Sequence, residues 1–215
     1  MSRMGMKRVL LADDHAIVRR GLREILEEQM SDVEIDEAGS VPEAIQKIHR
    51  EQWDVLVLDI TMPGGSGLDV LADARSACPH LPVLVLSMHP EDQYAVRSLR
   101  LGAAGYLTKD SAPRELVTAV QHVLAGKKYI SESLAEQLAG RLEDGADRPL
   151  HEQLSDREFQ VMRQIAQGRT VSEIAEDLAL SAKTISTYRA RILEKMRMHS
   201  NNELMRYAME NGLVD

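Results

Sequence analysis

The first 126 residues alternate between short apolar runs and longer stretches in which apolar residues recur at helical spacing. The runs predict five strands, at 8–12, 33–38, 54–59, 82–87 and 105–108. The stretches between and after them predict five helices, at 15–30, 42–52, 68–77, 91–101 and 113–124. Because the clearest strands are apolar at every position, helices should cover both faces of the sheet, as is typical of parallel sheets. The pattern therefore predicts a doubly wound α/β domain of five βα units over residues 1–126.

The pattern weakens after residue 126 and becomes helical again after residue 151. Residues 131–142 have the spacing of one helix, whereas the segment EDGADRP (143–149) has the polar, Gly- and Pro-containing composition of a linker. We therefore expect a linker with room for one helix over 127–150 and a second domain over 151–215.

The second domain is predicted to be all-α, with helices at 154–168, 170–180, 182–198 and 202–210. Two of these helices begin with the residue pair of a capping box, Ser155 with Glu158 and Thr170 with Glu173, and Gly168 suits the end of the first. A short helix, a tight turn and a basic helix in succession are typical of a helix-turn-helix. We therefore expect a small four-helix, helix-turn-helix domain.

Polar side chains stand where the predicted strands of the first domain end. They are Asp13, Asp14, Asp59, Ser87, Thr108 and Lys109. Since the carboxyl ends of parallel strands meet at one edge of the sheet, these side chains should lie close together, where such folds bind ligands. Each residue alone has an ordinary explanation, as a helix cap, a turn residue or a solvated charge. Their joint placement at four strand ends favours a site.

The residue types at this edge indicate phosphoryl transfer. Three carboxylates close together repel one another unless a cation lies among them. Oxygen ligands with open positions suit Mg²⁺, which binds a few carboxylates, water and phosphate. A lysine supplies positive charge for phosphate oxygens. A metal and a lysine around a carboxylate predict that the carboxylate acts as the nucleophile.

Composition excludes several classes of protein. The chain has 215 residues, of which 44% are hydrophobic and one is Cys, so an internal disulfide framework and a Cys-based zinc site are excluded. No apolar run approaches the roughly 20 residues that cross a bilayer, and the N-terminal residues lack the apolar region of a signal peptide. We expect a cytoplasmic protein with no membrane partner.

Charge is distributed unevenly along the chain. Residues 1–150 carry 17 basic and 24 acidic side chains, whereas residues 151–215 carry 9 and 10. Five of those basic residues fall between 183 and 197, beside one acid: Lys183, Arg189, Arg191, Lys195 and Arg197. Most such clusters are solvated helix faces, but a basic helix after a tight turn also suits double-stranded DNA.

The basic helix has one apolar face and one polar face. With Ile185 placed towards the core, Ile192 and Met196 share its face. The opposite face mixes cations, which would hold phosphates, with short polar groups, which would reach base edges. The candidate DNA contacts, including one residue of the preceding helix, are Thr170, Lys183, Ser186, Thr187, Arg189, Ala190, Arg191 and Lys195.

The first domain resembles the receiver domain of two-component response regulators. The resemblance covers residues 6 to about 126 and rests on four motifs: DD at 13–14, DxxMPxxxG at 59–67, LS at 86–87 and GAAGYLTK at 102–109. It implies a flavodoxin-like (βα)5 fold in which a sensor histidine kinase phosphorylates Asp59. Many receivers have proline after the lysine, where this chain has Asp110.

The same resemblance implies a role for each polar residue at the strand ends. Mg²⁺ would be held by Asp13, Asp14, Asp59 and the backbone carbonyl of Thr61. Lys109 would bind the phosphate, Ser87 would be the switch hydroxyl, and Tyr106 would be the aromatic side chain that turns when Ser87 bonds the phosphate. Phosphorylation adds charge and acceptor oxygens, so it would bias a two-state surface near Tyr106.

The second domain resembles the LuxR-type helix-turn-helix domain of the NarL/FixJ class of regulators. The matching elements are LSxRE at 154–158, IAxG at 165–168, EIA at 173–175, LS at 180–181, TI at 184–185 and IxEKM at 192–196. They imply that helix 182–198 reads DNA and that 202–210 takes part in dimerisation. Tyr188 stands where histidine is common, and Ser186 and Ala190 stand where some members have lysine.

We therefore expect a phosphorylation-switched, sequence-specific DNA-binding transcriptional regulator that forms a homodimer when active and is not an enzyme beyond its own phosphoryl transfer. One alternative is a regulator switched by partner binding without phosphorylation. Another is a ligand-sensing LuxR-type regulator, which would need an apolar pocket where this domain has an acidic edge. An aspartate-nucleophile phosphatase of the haloacid dehalogenase type is disfavoured, because it needs a second Asp where Thr61 stands.

Overall fold

The computed structural model describes residues 5–88, 91–132, 134–136, 149–178 and 180–214. They form two compact units, divided between residues 144 and 145. Residues 143–148 of the predicted linker segment (143–149) and most of the predicted helix 131–142 lie outside the described residues.

The first unit is built on a five-stranded parallel sheet with the strand order β2-β1-β3-β6-β7. Its strands are β1 (Lys7–Ala12), β2 (Val33–Ala38), β3 (Val55–Asp59), β6 (Val83–Ser87) and β7 (Gly105–Thr108). Five helices connect or follow them: α1 (Ala16–Gln29), α2 (Val41–Arg50), α3 (Gly67–Ala77), α4 (Glu91–Arg100) and α5 (Ala112–Leu124). The predicted five βα units are confirmed, with element ends that differ by up to two residues.

Both faces of the sheet are buried. Val9 and Leu11 of β1 join the core that α1 and α5 cover, while Leu10 between them is equally inaccessible on the other face. The three central strands are therefore apolar at almost every position, as the sequence predicted. β3 ends at Asp59, which places a buried carboxylate at the carboxyl edge of the sheet.

A small hairpin that the sequence analysis did not predict follows β3. It consists of β4 (Thr61–Met62) and β5 (Gly65–Ser66), which pair antiparallel. The chain then turns back against β3, where a Cβ at Gly67 would lie 2.0 Å from the carbonyl oxygen of Asp59. Only glycine allows so close a backbone approach, so Gly67 brings the hairpin next to the acidic edge.

Residues after α5 also pack on the sheet. The amide of Tyr129 donates to the carbonyl of Ala104, and that of Tyr106 donates to the carbonyl of Tyr129. Tyr129 thereby forms a bridge with Gly105, where a Cβ would lie 2.6 Å from the Tyr129 carbonyl oxygen. The Tyr129 hydroxyl donates to Glu115 of α5 at 2.9 Å. We call residues 127–130 the edge strap, because they cover the outer edge of β7.

The second unit contains α6 (Asp156–Ala166), α7 (Val171–Asp177), α8 (Ala182–Lys195) and α9 (Asn201–Glu210), after a 3-10 turn at Leu150–Gln153. Both predicted capping boxes are present. The predicted core face of α8 is confirmed, since Ile185, Ile192 and Met196 are at most 1% exposed. Phe159 of α6 is buried with them.

Helix α8 ends three residues before the predicted end at 198. Arg197 adopts a φ of 55°, in the left-handed region that glycine usually occupies at a helix end. The amide of Met198 donates back to the carbonyl of Leu193 and closes the helix. This helix end could not be predicted from the residue type, because arginine is a good helix former.

Among the helices that the structure describes, none combines the length and the apolar composition needed to span a lipid bilayer.

Candidate functional site

The predicted acidic site assembles at the carboxyl edge of the sheet. Asp13 follows β1 and Asp59 ends β3, and these two strands are neighbours in the sheet. Both side chains are buried, at 1% and 3% exposure, whereas the side chain of Asp14 is 30% exposed. A buried carboxylate needs a partner of opposite charge.

Lys109 is that partner for both buried acids. Its Nζ lies 2.6 Å from Oδ2 of Asp13 and 2.8 Å from Oδ2 of Asp59. The amide of Lys109 donates to the carbonyl of Ser87, which ties the end of β7 to the end of β6. Four strand ends thus hold one ammonium between two carboxylates.

The electrostatics of this cluster disfavour the charged form of Asp59. Burial raises the pKa of Asp59 to about 6, against the opposing effect of Lys109 and with a further increase from the charge of Asp13. Burial also opposes the charged form of Lys109, but the carboxylates of Asp59 and Asp13 outweigh it and raise the pKa of the lysine. Asp59 is therefore a poorly solvated carboxylate held in place by its counterion.

The cluster has a donor set that could hold a metal ion. Asp13, Asp14, His15 and Asp59 each place one ligand atom within 4.8 Å of the others. Three carboxylates against one ammonium leave two negative charges, which one divalent cation would balance. The sequence analysis missed His15, because it considered only oxygen ligands; its position directly after Asp14 was the available signal.

The remaining predicted receiver residues lie around this cluster. Ser87 is 1% exposed at the end of β6, which pairs with β3 through Asp59 and Leu86. Tyr106 is fully buried in β7, so the ring occupies an inward position. Thr61 follows Asp59 by two residues, and its amide donates to Oδ1 of Asp59 at 3.3 Å. The Lys109–Asp110 peptide bond is trans.

The second unit presents the predicted polar face of α8 to solvent. Six of the seven candidates on α8 are exposed: Lys183, Ser186, Thr187, Ala190, Arg191 and Lys195. A shallow cavity of about 330 Å³ lies on this helix and is lined by Lys183, Thr184, Thr187, Tyr188 and Arg191. Thr184 and Tyr188 were not among the candidates.

Three of the candidates contact other side chains of the unit. Thr170 caps α7, where its hydroxyl donates to Glu173 at 2.8 Å. Arg189 is half-buried and donates to Oδ1 of Asn201, at the start of α9, at 2.7 Å. Lys195 lies 2.6 Å from the buried Glu158 of α6. The last two contacts join α8 to α9 and to α6, whereas the contact of Thr170 lies at the start of α7 itself.

Comparison with known proteins identifies both units. The family described as "Response regulator receiver domain" matches residues 9–121, and the family described as "Bacterial regulatory proteins, luxR family" matches residues 152–208. The chain is 36% identical to "Response regulator UvrY" of Escherichia coli K12 over 211 residues, which cover 98% of this chain and 97% of that protein.

Solved structures of similar proteins span nearly the whole chain. RcsB from Salmonella enterica serovar Typhimurium, bound to promoter rprA in the presence of phosphomimetic BeF3⁻, is 29% identical, with a TM-score of 0.65, and covers 94% of this chain and 98% of its own. A structure of two RcsB dimers bound to two parallel DNAs is 31% identical, with a TM-score of 0.60, and covers 95% and 98%.

Proposed function

Since the chain belongs to the response regulators that join a receiver domain to a LuxR-type DNA-binding domain, we propose that phosphorylation of Asp59 switches its activity as a transcriptional regulator. The observation that carries this assignment is Lys109, whose Nζ bridges Asp13 and Asp59 at the edge of the sheet. The lysine holds the carboxylate at the end of β3, at the carboxyl edge of the sheet.

Asp59 accepts the phosphoryl group from a phosphohistidine of a sensor kinase. A carboxylate oxygen attacks phosphorus, the P–O bond forms, and the P–N bond breaks with its electron pair returning to the imidazole, which takes up a proton. Lys109 is within reach of the oxygens of the transferred group and offsets their charge. Poor solvation of Asp59 favours the attack, because little water has to leave the nucleophile.

A divalent cation fits beside these residues, and its hard oxygen ligands favour Mg²⁺. Asp13, Asp14, Asp59 and the carbonyl of Thr61 would hold it. The bound ion would offset charge that develops on the phosphoryl oxygens.

Phosphorylation then acts on the neighbouring strands. Ser87 and Lys109 lie at the ends of β6 and β7, which are joined by the hydrogen bond between their backbones. A hydroxyl or ammonium that turns towards a phosphate pulls on the same two strand ends. Tyr106 is buried in β7, three residues before Lys109, and is therefore the side chain placed to respond.

The output is DNA binding by a homodimer. Lys183, Thr187 and Arg191 project from the exposed face of α8, which would enter the major groove. Dimers and promoter DNA are present in the structures of the similar protein RcsB, which supports both parts of the proposal. We place the protein in the cytoplasm, where its DNA and kinase partners would be, and assign it no catalysis beyond its own phosphoryl transfer and dephosphorylation.

The decisive test treats the full chain with a small-molecule phosphodonor or with BeF3⁻ and Mg²⁺. Mass spectrometry should find the phosphoryl group on Asp59, and light scattering and DNA affinity should both change. In Asp59→Asn all three responses should be lost, while Asp32→Asn, an exposed acid before β2, should respond like the parent chain. An Asp59→Asn chain that still changes its assembly state with the donor would show that Asp59 is not the switch.

A further inference from the structure

Among the described residues of the acidic cluster, His15 is the one candidate ligand that offers nitrogen and not oxygen. Its Nδ1 lies 2.7 Å from Oδ1 of Asp14 and 3.4 Å from Oδ1 of Asp13. The side chain is 62% exposed, so it reaches the cluster from the solvent side, whereas Asp13 and Asp59 reach it from the interior.

The backbone of His15 is held in place. Its amide donates to Oδ1 of Asp13 at 2.8 Å, and its carbonyl accepts from the amides of Val18 and Arg19 in the first turn of α1. These hydrogen bonds fix the Cα of His15 beside Asp13 and Asp14, so the imidazole can move only by rotation of its side chain. A ligand on a fixed backbone loses less conformational freedom on binding than one on a loop.

An imidazole nitrogen changes which cations a carboxylate site prefers. Mg²⁺ prefers oxygen ligands and keeps several waters. Ions from Mn²⁺ to Zn²⁺ accept imidazole readily, and their affinity for mixed nitrogen and oxygen sites rises along that series, with copper highest. A site with three carboxylates and one histidine should therefore gain affinity for these ions and little for Mg²⁺.

We infer that His15 ligates transition-metal ions through Nδ1 at the Asp13–Asp14–Asp59 cluster and shifts the selectivity of this receiver from Mg²⁺ towards the Mn²⁺-to-Zn²⁺ series. The inference rests on the metal site of the proposed function, and it adds the ligand that sets which metal is bound. It makes the phosphorylation site responsive to the supply of these metals.

The test measures metal binding directly, on the untagged and unphosphorylated full chain. Mn²⁺ is added, and pulsed electron paramagnetic resonance is used to detect coupling between the ion and an imidazole ¹⁴N. Titrations of Mn²⁺, and of Mg²⁺ in competition with it, give the two affinities. The variants are His15→Gln, the control His80→Gln, which is exposed before β6 at the opposite end of the sheet, and Asp14→Asn.

We expect ¹⁴N coupling in the parent chain and in His80→Gln, and its loss in His15→Gln. The same change should weaken Mn²⁺ binding by at least about tenfold, since even the loss of an outer-shell partner of a metal ligand costs roughly that much. Mg²⁺ affinity should stay within about twofold, because a nitrogen ligand adds little to the binding of that ion.

Two results overturn the inference, and they can be told apart. Mn²⁺ that binds without ¹⁴N coupling, or with coupling that persists in His15→Gln, removes His15 from the ligand set. If Asp14→Asn still abolishes that binding, the metal site of the proposed function stands. If Mn²⁺ binds equally well to Asp14→Asn and to the parent chain, the metal site and the inference both fail.

Discussion

Two lysine–carboxylate pairs, one in each unit, have similar distances and opposite electrostatic character. Lys109 lies 2.8 Å from Asp59, and Lys195 lies 2.6 Å from Glu158. Burial dominates at Asp59 and raises its pKa to about 6. At Glu158 burial acts in the same direction, but Lys195 and the amide of Ser155 outweigh it and lower the pKa of the glutamate.

Burial, which is the largest contribution at Asp59, and the sharing of its lysine with a second acid together explain the difference. Lys109 is shared between two buried acids, so neither carboxylate has a counterion of its own. Lys195 serves one acid, which also accepts the amide of the residue that begins α6, at 2.7 Å. The first arrangement keeps a carboxylate poorly solvated and only partly neutralised, whereas the second ties α8 to α6. The geometry of a single pair does not distinguish them.

The largest expected effect comes from removing the shared lysine. Lys109→Met leaves Asp13 and Asp59 buried side by side without a cation, and we expect the receiver to lose about 3–5 kcal/mol of its free energy of unfolding. Trp53 is the only tryptophan of the chain, so its fluorescence in urea with a metal chelator reports on this domain. Lys7→Met, which removes an exposed lysine 3.8 Å from Asp54, should cost less than about 1 kcal/mol.

The next effect is a dependence of the receiver's free energy of unfolding on pH when no metal is bound. The pKa of Asp59 is raised from 3.8 to about 6, so the folded state binds the proton more tightly than the unfolded chain. Stability should therefore fall as the pH rises from about 4 through about 6, by at most about 3 kcal/mol. Urea unfolding in a chelator measures it, and Asp59→Asn should remove the slope. A parent chain as stable at pH 7.5 as at pH 4.5 would contradict the raised pKa.

The second pair should show the opposite dependence. Because the pKa of Glu158 is lowered from 4.5, its contribution is complete above that value and is lost as the pH falls through the lower pKa of the folded state. Glu158→Gln should cost the helical domain about 1–2 kcal/mol at pH 7, through the lost ion pair with Lys195 and a weaker capping bond, since the neutral amide oxygen of Gln still accepts from Ser155. Hydrogen exchange of α6 in the full chain measures the change, with Glu152→Gln in the 3-10 turn as the control.

The smallest effect separates a DNA contact from a structural lysine. Arg191 lines the cavity on α8, so Arg191→Ala should cost about 1 kcal/mol of DNA affinity and reduce the salt slope by about 1. Lys195→Met should reduce the salt slope less, because Glu158 already neutralises much of its charge. Anisotropy titrations at several salt concentrations measure both, and equal slopes for the two variants would show that Lys195 also contacts phosphate.

The sequence predicted the elements of the sheet and the meeting of its polar ends because both follow from local patterns. A buried parallel strand has to be apolar, and parallel strands have to end at one edge, so Asp13, Asp59 and Lys109 could be placed without coordinates. The capping boxes are equally local, since each is made by residues three apart.

Contacts between distant residues could not be predicted in this way. Nothing in the sequence around Lys195 indicates that its partner is Glu158, 37 residues earlier. The same holds for Arg189 and Asn201, and for the hairpin after β3, which depends on the fit of Gly67 against Asp59. The metal ligand His15 was missed for another reason, because the chemistry assumed for the site excluded nitrogen.

The edge strap has a consequence for joining this receiver to other output domains. The predicted receiver ends at residue 126, but Tyr129 occupies the backbone hydrogen-bonding groups of β7 beside Gly105. A chimera spliced at 126 would leave that edge open, and an open strand edge pairs readily with other chains. The receiver that is fused to another output domain should therefore extend through residue 130. A fusion that keeps Lys128 and Tyr129 keeps the edge of β7 covered.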